Sequence, residues 1–239
     1  MSPRGTMVMG WTLALAVIAG FIALGNWQLD RQHEKQSMLD AVAATIAARA
    51  PLALGAAADA DRGRGYDWAA GGGHFAEVPA VLLDNQQRGG RAGVRVYRVF
   101  VPESGSQPLL VELGWLPLPG DRTLPDVARP AGHREVAGLL VPPPSHGIGP
   151  AGMAVQDDGT LLAVGLDPAA LAAPLHQPGL APRVLKLDPE AGFGYPRDLD
   201  VLPNTLPPER HFGYAVQWFA LALAVLATAL VLTFRRPRT

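Results

Sequence analysis

The stretch Gly5-Thr-Met-Val-Met-Gly-Trp-Thr-Leu-Ala-Leu-Ala-Val-Ile-Ala-Gly-Phe-Ile-Ala-Leu-Gly-Asn-Trp-Gln-Leu29 runs for 25 residues without an Asp, Glu, Lys or Arg. A second such run, His211 to Phe234, is 24 residues long. At about 1.5 Å rise per residue, either run wound as a helix covers the ~30 Å hydrocarbon core of a bilayer. Neither contains proline, although the chain has 23. The pattern predicts two transmembrane helices, placed at 7–27 and 211–234. Cleavage of the first as a signal peptide is disfavoured. Its basic lead is Arg4 alone, and its apolar run exceeds the usual h-region.

Working outward, all 21 acidic residues fall between Asp30 and Glu209. Arg235, Arg236 and Arg238 follow the second helix, and the positive-inside rule places such a cluster in the cytoplasm. With two spans, residues 1–6 and 235–239 are then both expected to be cytoplasmic. Residues 28–210 are expected to form an extracytoplasmic domain, periplasmic if the membrane is a bacterial inner membrane. A third charge-free stretch, Val136 to Gln156, carries Pro142, Pro143, Pro144 and Pro150 and is read as a loop, because each proline breaks a helical hydrogen bond.

Composition excludes several function classes. With 20 basic against 21 acidic residues, the chain lacks the basic excess of a nucleic-acid binder. With no cysteine, it has no disulfides, no thiol redox chemistry, and no Cys-ligated zinc, iron–sulfur or covalently attached haem.

The middle region opens with a helical pattern. Trp27, Gln28, Arg31 and Lys35 are spaced to share a face of a helix continuing out of the membrane. Met38, Val42, Thr45 and Ile46 extend it to about Ala48, before Pro51. The segment from Gly55 to Gly65 reads as loop. Strand candidates are Val81–Asn85, Val94–Val101 after a turn through Gly89, Gly90 and Gly93, Leu109–Leu116, His133–Val141, Thr160–Val164 and Arg183–Leu187. Asp167-Pro168 looks like a helix cap followed by proline at the first helical position. The expected fold is a membrane protein with two transmembrane helices flanking an antiparallel β-rich domain with minor helices. Closure of that domain into a small barrel is an open alternative.

No enzyme motif stands out. G-x-S-x-G, H-E-x-x-H and the P-loop pattern are absent from the sequence. Ser145 and His146 are neighbours in a proline loop, which does not make a nucleophile–base pair. Asp157-Asp158-Gly159 reads as a hairpin turn, and Asp198 and Asp200 as solvated. His74, His133, His146 and His176 are read as structural, and His33 likewise despite lying near the membrane boundary. His211 is the exception. It opens the second helix, with Tyr214, Ala215 and Trp218 at i+3, i+4 and i+7, and an ionisable group there is a functional candidate. An ordinary aromatic belt is the competing reading.

The segment Leu24-Gly25-Asn26-Trp27-Gln28-Leu29-Asp30-Arg31, with Lys35, resembles the L-G-x-W-Q-x-x-R-x-x-x-K signature of the Surfeit locus protein 1 family. Leu83-Asp84-Asn85 with Arg88, Gly90 and Gly93 resembles that family's L-D-N-R-x-R-x-G-x-x-G hairpin, with Gln86 in place of an arginine. Gly114-Trp115-Leu116-Pro117 is similar to its G-W-V-P strand end, and Gly138-Leu139-Leu140 with Pro142 to a G-x-L-x-x-P segment. His211-Phe-Gly-Tyr-Ala-Val-Gln-Trp-Phe219 resembles the family's H-x-x-Y-A-x-Q-W-F opening of the second span. Where many members read N-R-G-W, this chain has Glu112-Leu113-Gly114-Trp115.

The resemblance implies a non-enzymatic assembly factor for haem–copper (cytochrome c) oxidase that binds haem a and assists its insertion into subunit I. In bacterial members the histidine at His211's position is implicated in haem a binding. His211 is therefore the expected ligand of the haem iron, with Tyr214, Trp218, Trp27, Arg31 and Arg210 as cofactor-binding neighbours. Pairing of Arg31 or Arg210 with haem propionates is a hypothesis added to that resemblance. Close approach of the helices is expected at Ala16 and Gly20 against Ala220 and Ala224. The expected partners are the lipid bilayer, oxidase subunit I and haem a synthase. Two alternatives remain: a scaffold contacting subunit I or haem a synthase without ligating haem, and a membrane-anchored periplasmic enzyme.

Overall fold

The computed structural model describes residues 3–144, 152–202 and 206–235. The chain divides into two compact units, residues 1–40 with 205–239 and residues 41–204. The long helix α1 (Pro3–Ala48), whose residues from 41 on belong to the second unit, and the C-terminal helix α3 (Pro208–Phe234) of the first unit are each long and apolar enough to cross a membrane. α1 winds on without a break past the end of its charge-free run. It stops where Arg49 takes a positive φ of 42° and Pro51 disfavours helix in the residue before it. α3 is already wound at Pro208, because a proline in the first turn has no N–H to leave unsatisfied.

The second unit is β-rich. Its strands are β1 (Leu52–Ala53), β2 (Asp67–Phe75), β3 (Val81–Arg88), β4 (Arg91–Pro102), β5 (Leu109–Pro117), β6 (His133–Val141), β7 (Met153–Val155), β8 (Leu161–Ala163) and β9 (Val184–Leu187). They form one sheet in the order β1-β2-β6-β9-β5-β4-β3-β8-β7. A short extra pairing of β2 with β4 curls five strands around one another, while β1 and the β3-β8-β7 extension lie outside that curl. The sheet as a whole is therefore not a closed barrel. Nor is it purely antiparallel: β1–β2, β3–β8 and β5–β9 pair in parallel. β8 and β9 reach their partners after long connections, which a hairpin-only reading of short turns does not foresee.

Several local expectations change. The stretch read as a loop from Val136 to Gln156 includes the second half of β6 and all of β7. Residues 145–151, with Ser145 and His146, lie outside the described residues. The segment 55–65 winds into two 3-10 turns, Leu54–Ala58 and Ala60–Arg62. Gly93 lies in β4 rather than in the turn. A side chain there would meet the Trp115 ring and the Leu116 carbonyl at 2.3–2.5 Å. The turn itself is Gly89-Gly90, with φ of 56° and 75°, the two-residue hairpin geometry that glycine adopts at no steric cost. Asp167 caps α2 (Pro168–Ala172) as expected, its carboxylate accepting from the Ala169 N–H at 3.0 Å. Asp157-Asp158-Gly159 turns between β7 and β8.

Both faces of the sheet are covered, so β4 and β5 are buried nearly without a break instead of at alternate residues, the charged Arg95, Arg98 and Glu112 included. One core gathers Phe75, Val94, Val96, Phe100, Leu109, Val111, Leu113, Leu140 and Leu185 from the five curled strands. The other gathers Val81, Tyr97, Val99, Leu110, Leu139 and Val184 with Leu171 of α2, and Val42 from the end of α1. Burying each large side chain contributes about 1.5–3 kcal/mol. Phe75 adds edge-to-face contacts to Phe100 and Phe193, at 5.1 and 6.1 Å between ring centroids.

Candidate functional site at the helix pair

The helix seam follows a 3.6-residue phase different from the one expected. On α3 the inward stripe is His211, Ala215 and Ala222, all buried, while Ala220 and Ala224 are exposed. On α1 the close approach is made by Gly25, not by Ala16 and Gly20, which are exposed. A Cβ at Gly25 would lie 2.6–3.0 Å from carbons of the Phe219 ring, so the missing side chain is what lets that ring lie against the helix. Phe21 and Trp218 stack beside it with ring centroids 5.5 Å apart.

Within this seam the first and last motifs of the sequence meet. Gln28 of the G-x-W-Q segment presents its Oε1 to the His211 Nδ1–H at 2.7 Å, across 183 residues of chain. That bond fixes the ring and its tautomer, leaving the lone pair on Nε2. His211 Nε2 is buried and has no hydrogen-bond partner among the described residues. It is one of seven such buried side-chain atoms among the described residues, the other six lying in the β domain. Leaving such an atom unpaired costs stability unless something else uses it. One turn outward Arg31 pairs with Glu34, and a turn beyond that Lys35 donates to the Leu206 carbonyl at 2.5 Å.

The other expected site residues do not converge. Trp27 and Tyr214 are exposed, as is Arg210, while Trp218 is half-buried against Phe21. Residues 27 and 28 stand 100° apart around a helix, so Gln28 turns to the seam and Trp27 away from it. A cavity of about 620 Å³ between the helices lies at their other end, lined by residues such as Trp11, Ala14, Val225 and Ala229. Its nearest α3 residue is 14 positions from His211, about 20 Å along the axis. Trp11 donates its indole N–H to Thr233 Oγ1 beside it at 3.0 Å. Gln28 belongs to the quoted motif but not to the expected ligand shell, and only the pairing of the two helices shows its role.

The β domain holds a second polar constellation. Tyr97, Glu112 and Lys186 are register partners across β4, β5 and β9, and Arg95 projects beside them. Glu112, only 3% exposed, accepts from Arg95, from the Tyr97 hydroxyl at 3.0 Å and from Lys186 Nζ at 3.3 and 3.4 Å. Burial opposes the charge on Arg95, but Glu112, Tyr97 and Asp198 outweigh it and raise its pKa. Burial prevails at Lys186, whose pKa is lowered despite the more distant Glu112. Burial also pushes the Tyr97 phenol well above its ordinary value, and the Glu112 charge adds to this. Asp198, expected to be solvated, keeps an exposed side chain and also lies 3.8 Å from Arg95 and 3.6 Å from Arg88. The departure from N-R-G-W is thereby given a structural meaning: Glu112 is the anion at the centre of this group, and Leu113 belongs to the core.

A model of the SURF1 family matches residues 15–223, from within the first apolar helix to within the last. The chain belongs to the SURF1 family. No curated protein matches it. SURF1 is an assembly-factor family, generally not enzymatic, and membership fits a role in cytochrome oxidase assembly. The two apolar helices fit an inner-membrane protein.

Proposed function

We propose that this SURF1 protein receives haem a at the helix pair and assists its insertion into oxidase subunit I, with His211 as the iron ligand. One observation carries the reading: His211 has Nδ1 committed to Gln28 and Nε2 buried without a partner. Neutral imidazole with its second nitrogen held by a hydrogen bond is the usual form of an axial ligand. When bound, haem a would supply an iron centre that takes a nitrogen ligand. The chain's own part is to hold the ring's orientation through Gln28 and to keep water from Nε2. Arg31 and Arg210, on the polar side of this level, are the candidates for meeting propionates. Both termini are taken as cytoplasmic and residues 28–210 as periplasmic, on the strength of the arginines after α3.

The test is co-expression with the haem a biosynthetic enzymes in a host without oxidase subunits. Purified wild-type protein should retain a haem a absorbance band. His211→Ala should lose it, and Gln28→Leu should weaken it while leaving the protein folded. Equal haem retention by His211→Ala would refute the ligand assignment. A second reading has its own support: the interhelical cavity does not reach His211, and Gly25 and Phe219 close the seam near it. In that reading the helix pair is a scaffold for subunit I or haem a synthase. Oxidase assembly would then survive His211→Ala but fail when Gly25 is enlarged.

A further inference from the structure

Far along the chain from His211, three side chains converge above a glycine, one of them His133, which the sequence reads as structural. Gly72 of β2 pairs with Glu135 of β6, and His74 with His133, so His133 and Glu135 stand two residues apart on one face of β6. β2 also pairs with the end of β4, where the Glu103 N–H donates to the Gly72 carbonyl at 3.0 Å. That bond brings the Glu103 side chain over the same spot. His133 Nε2 lies 3.0 Å from Glu103 Oε2 and 4.0 Å from Glu135 Oε1, and one ligand atom from each residue falls within 4.8 Å of the others.

Gly72 reveals where these atoms aim. A Cβ built there would lie 2.7 Å from Glu103 Oε1, 2.7 Å from Glu135 Oε1 and 2.8 Å from His133 Nε2. That point is a bond length from the Gly72 Cα and is no place for an ion. The short distances show that three donors from two separate segments of chain converge just above residue 72, where any side chain would collide with them. First-row divalent ions sit about 2.0–2.2 Å from such nitrogen and oxygen ligands, with donors about 3.4 Å apart in a tetrahedral site. The three donors, 3.0 to at most 4.8 Å apart, reach that geometry by rotation of exposed side chains. The donor set also selects the ion. Imidazole with two carboxylates suits zinc and its first-row neighbours, whereas calcium and magnesium favour all-oxygen shells. With two glutamates at one point, a dication also relieves their mutual repulsion.

We propose that Glu103, His133 and Glu135 form a site for one borderline divalent transition-metal ion, which clips the end of β4 to β6 across Gly72. Three protein ligands at an exposed position leave the remaining coordination to water. With no cysteine in the chain, thiolates do not compete for the ion.

The experiment is calorimetric titration of zinc chloride into tag-free, full-length protein in detergent, followed by thermal unfolding with and without zinc. Wild type should bind one zinc per chain and unfold at a higher temperature with the metal present. His133→Ala should weaken binding at least tenfold, as should Gly72→Ala, whose methyl group displaces all three donors while every ligand remains. Glu103→Gln, an exposed change that leaves the fold intact, should also weaken it, whereas His176→Ala should leave it unchanged. Absence of zinc uptake by the wild type would overturn the site, as would unchanged affinity in both His133→Ala and Glu103→Gln.

Discussion

In the helix pair, polar groups are few and lie near the ends of an apolar seam: His211 against Gln28 at one level, Trp11 against Thr233 at the other. In the β domain a carboxylate, a guanidinium, an ammonium and a phenol share one buried site between two apolar cores. The helices satisfy every backbone group internally, so their close packing rests on small residues such as Gly25 and Ala215. The sheet has register, so a polar residue on one strand is set opposite a partner on the next. Cross-strand pairing thus gives a buried carboxylate its cations, although atoms such as Arg95 Nε stay unpartnered there too. At the helix seam, by contrast, His211 Nε2 is the free nitrogen of a ring whose other nitrogen is held.

The contrast can be broken most severely at Glu112. Glu112→Ala leaves Arg95 and Lys186 buried without their anion, and loss of one partner from such a group costs about 3–5 kcal/mol. Urea unfolding followed by tryptophan fluorescence should show the domain destabilised by that much. Replacing Arg95, Glu112 and Lys186 together by apolar residues of similar size should recover most of the loss. If the triple replacement is as unstable as Glu112→Ala, unpaired charge is not the cause.

A smaller effect is expected at the helices. Gly25→Leu forces the Phe219 ring from its place and should cost about 1–3 kcal/mol of helix association through overpacking. Cysteine crosslinking between α1 and α3 at introduced pairs would report it, and undiminished crosslinking would show that Gly25 does not set the approach.

Tyr97→Phe sharpens the electrostatic side. It removes a hydrogen bond to a carboxylate, worth about 1.5–3 kcal/mol with its desolvation included. It should also change the pH dependence. The folded-state pKa is raised above the ordinary value of 10.0, so both states keep the proton below that value and this contribution is fully present. As pH rises further, the unfolded phenol ionises while the folded one does not, and stability falls. The wild type should therefore lose more stability above pH 10 than Tyr97→Phe. Parallel curves would show that the phenol is not perturbed. The smallest effect is expected at Asp167→Ala, where loss of the α2 cap costs about 1 kcal/mol in the same unfolding measurement.

Much of the fold could be read from residue order. The two charge-free runs, the stop before Pro51, the Asp167-Pro168 cap and most strands follow from local propensity and pattern. β2 could not, because Asp67-Trp-Ala-Ala-Gly-Gly-Gly-His-Phe75 has neither alternation nor β-branched residues. It is a strand because it is paired with β6 along its length and with β4 at its end. The five-strand curl, and with it the placement of Glu103, depends on that strand. His133 and Glu135 at i,i+2 were a legible signal once β6 was taken as a strand, but Glu103 was not. Likewise the motif containing Gln28 was visible, while its contact with His211 was not.

The sequence alone determined that this chain carries two membrane-length helices around a cysteine-free, proline-rich β domain, since bilayer thickness and the cost of buried charge act on residue order directly. Tertiary structure decided which helix faces meet, which of two imidazole nitrogens is left uncommitted, and how Glu112 and Glu103 find their partners. Those outcomes depend on rotation about a helix axis and on strand register between distant segments, and spacing along the chain encodes neither.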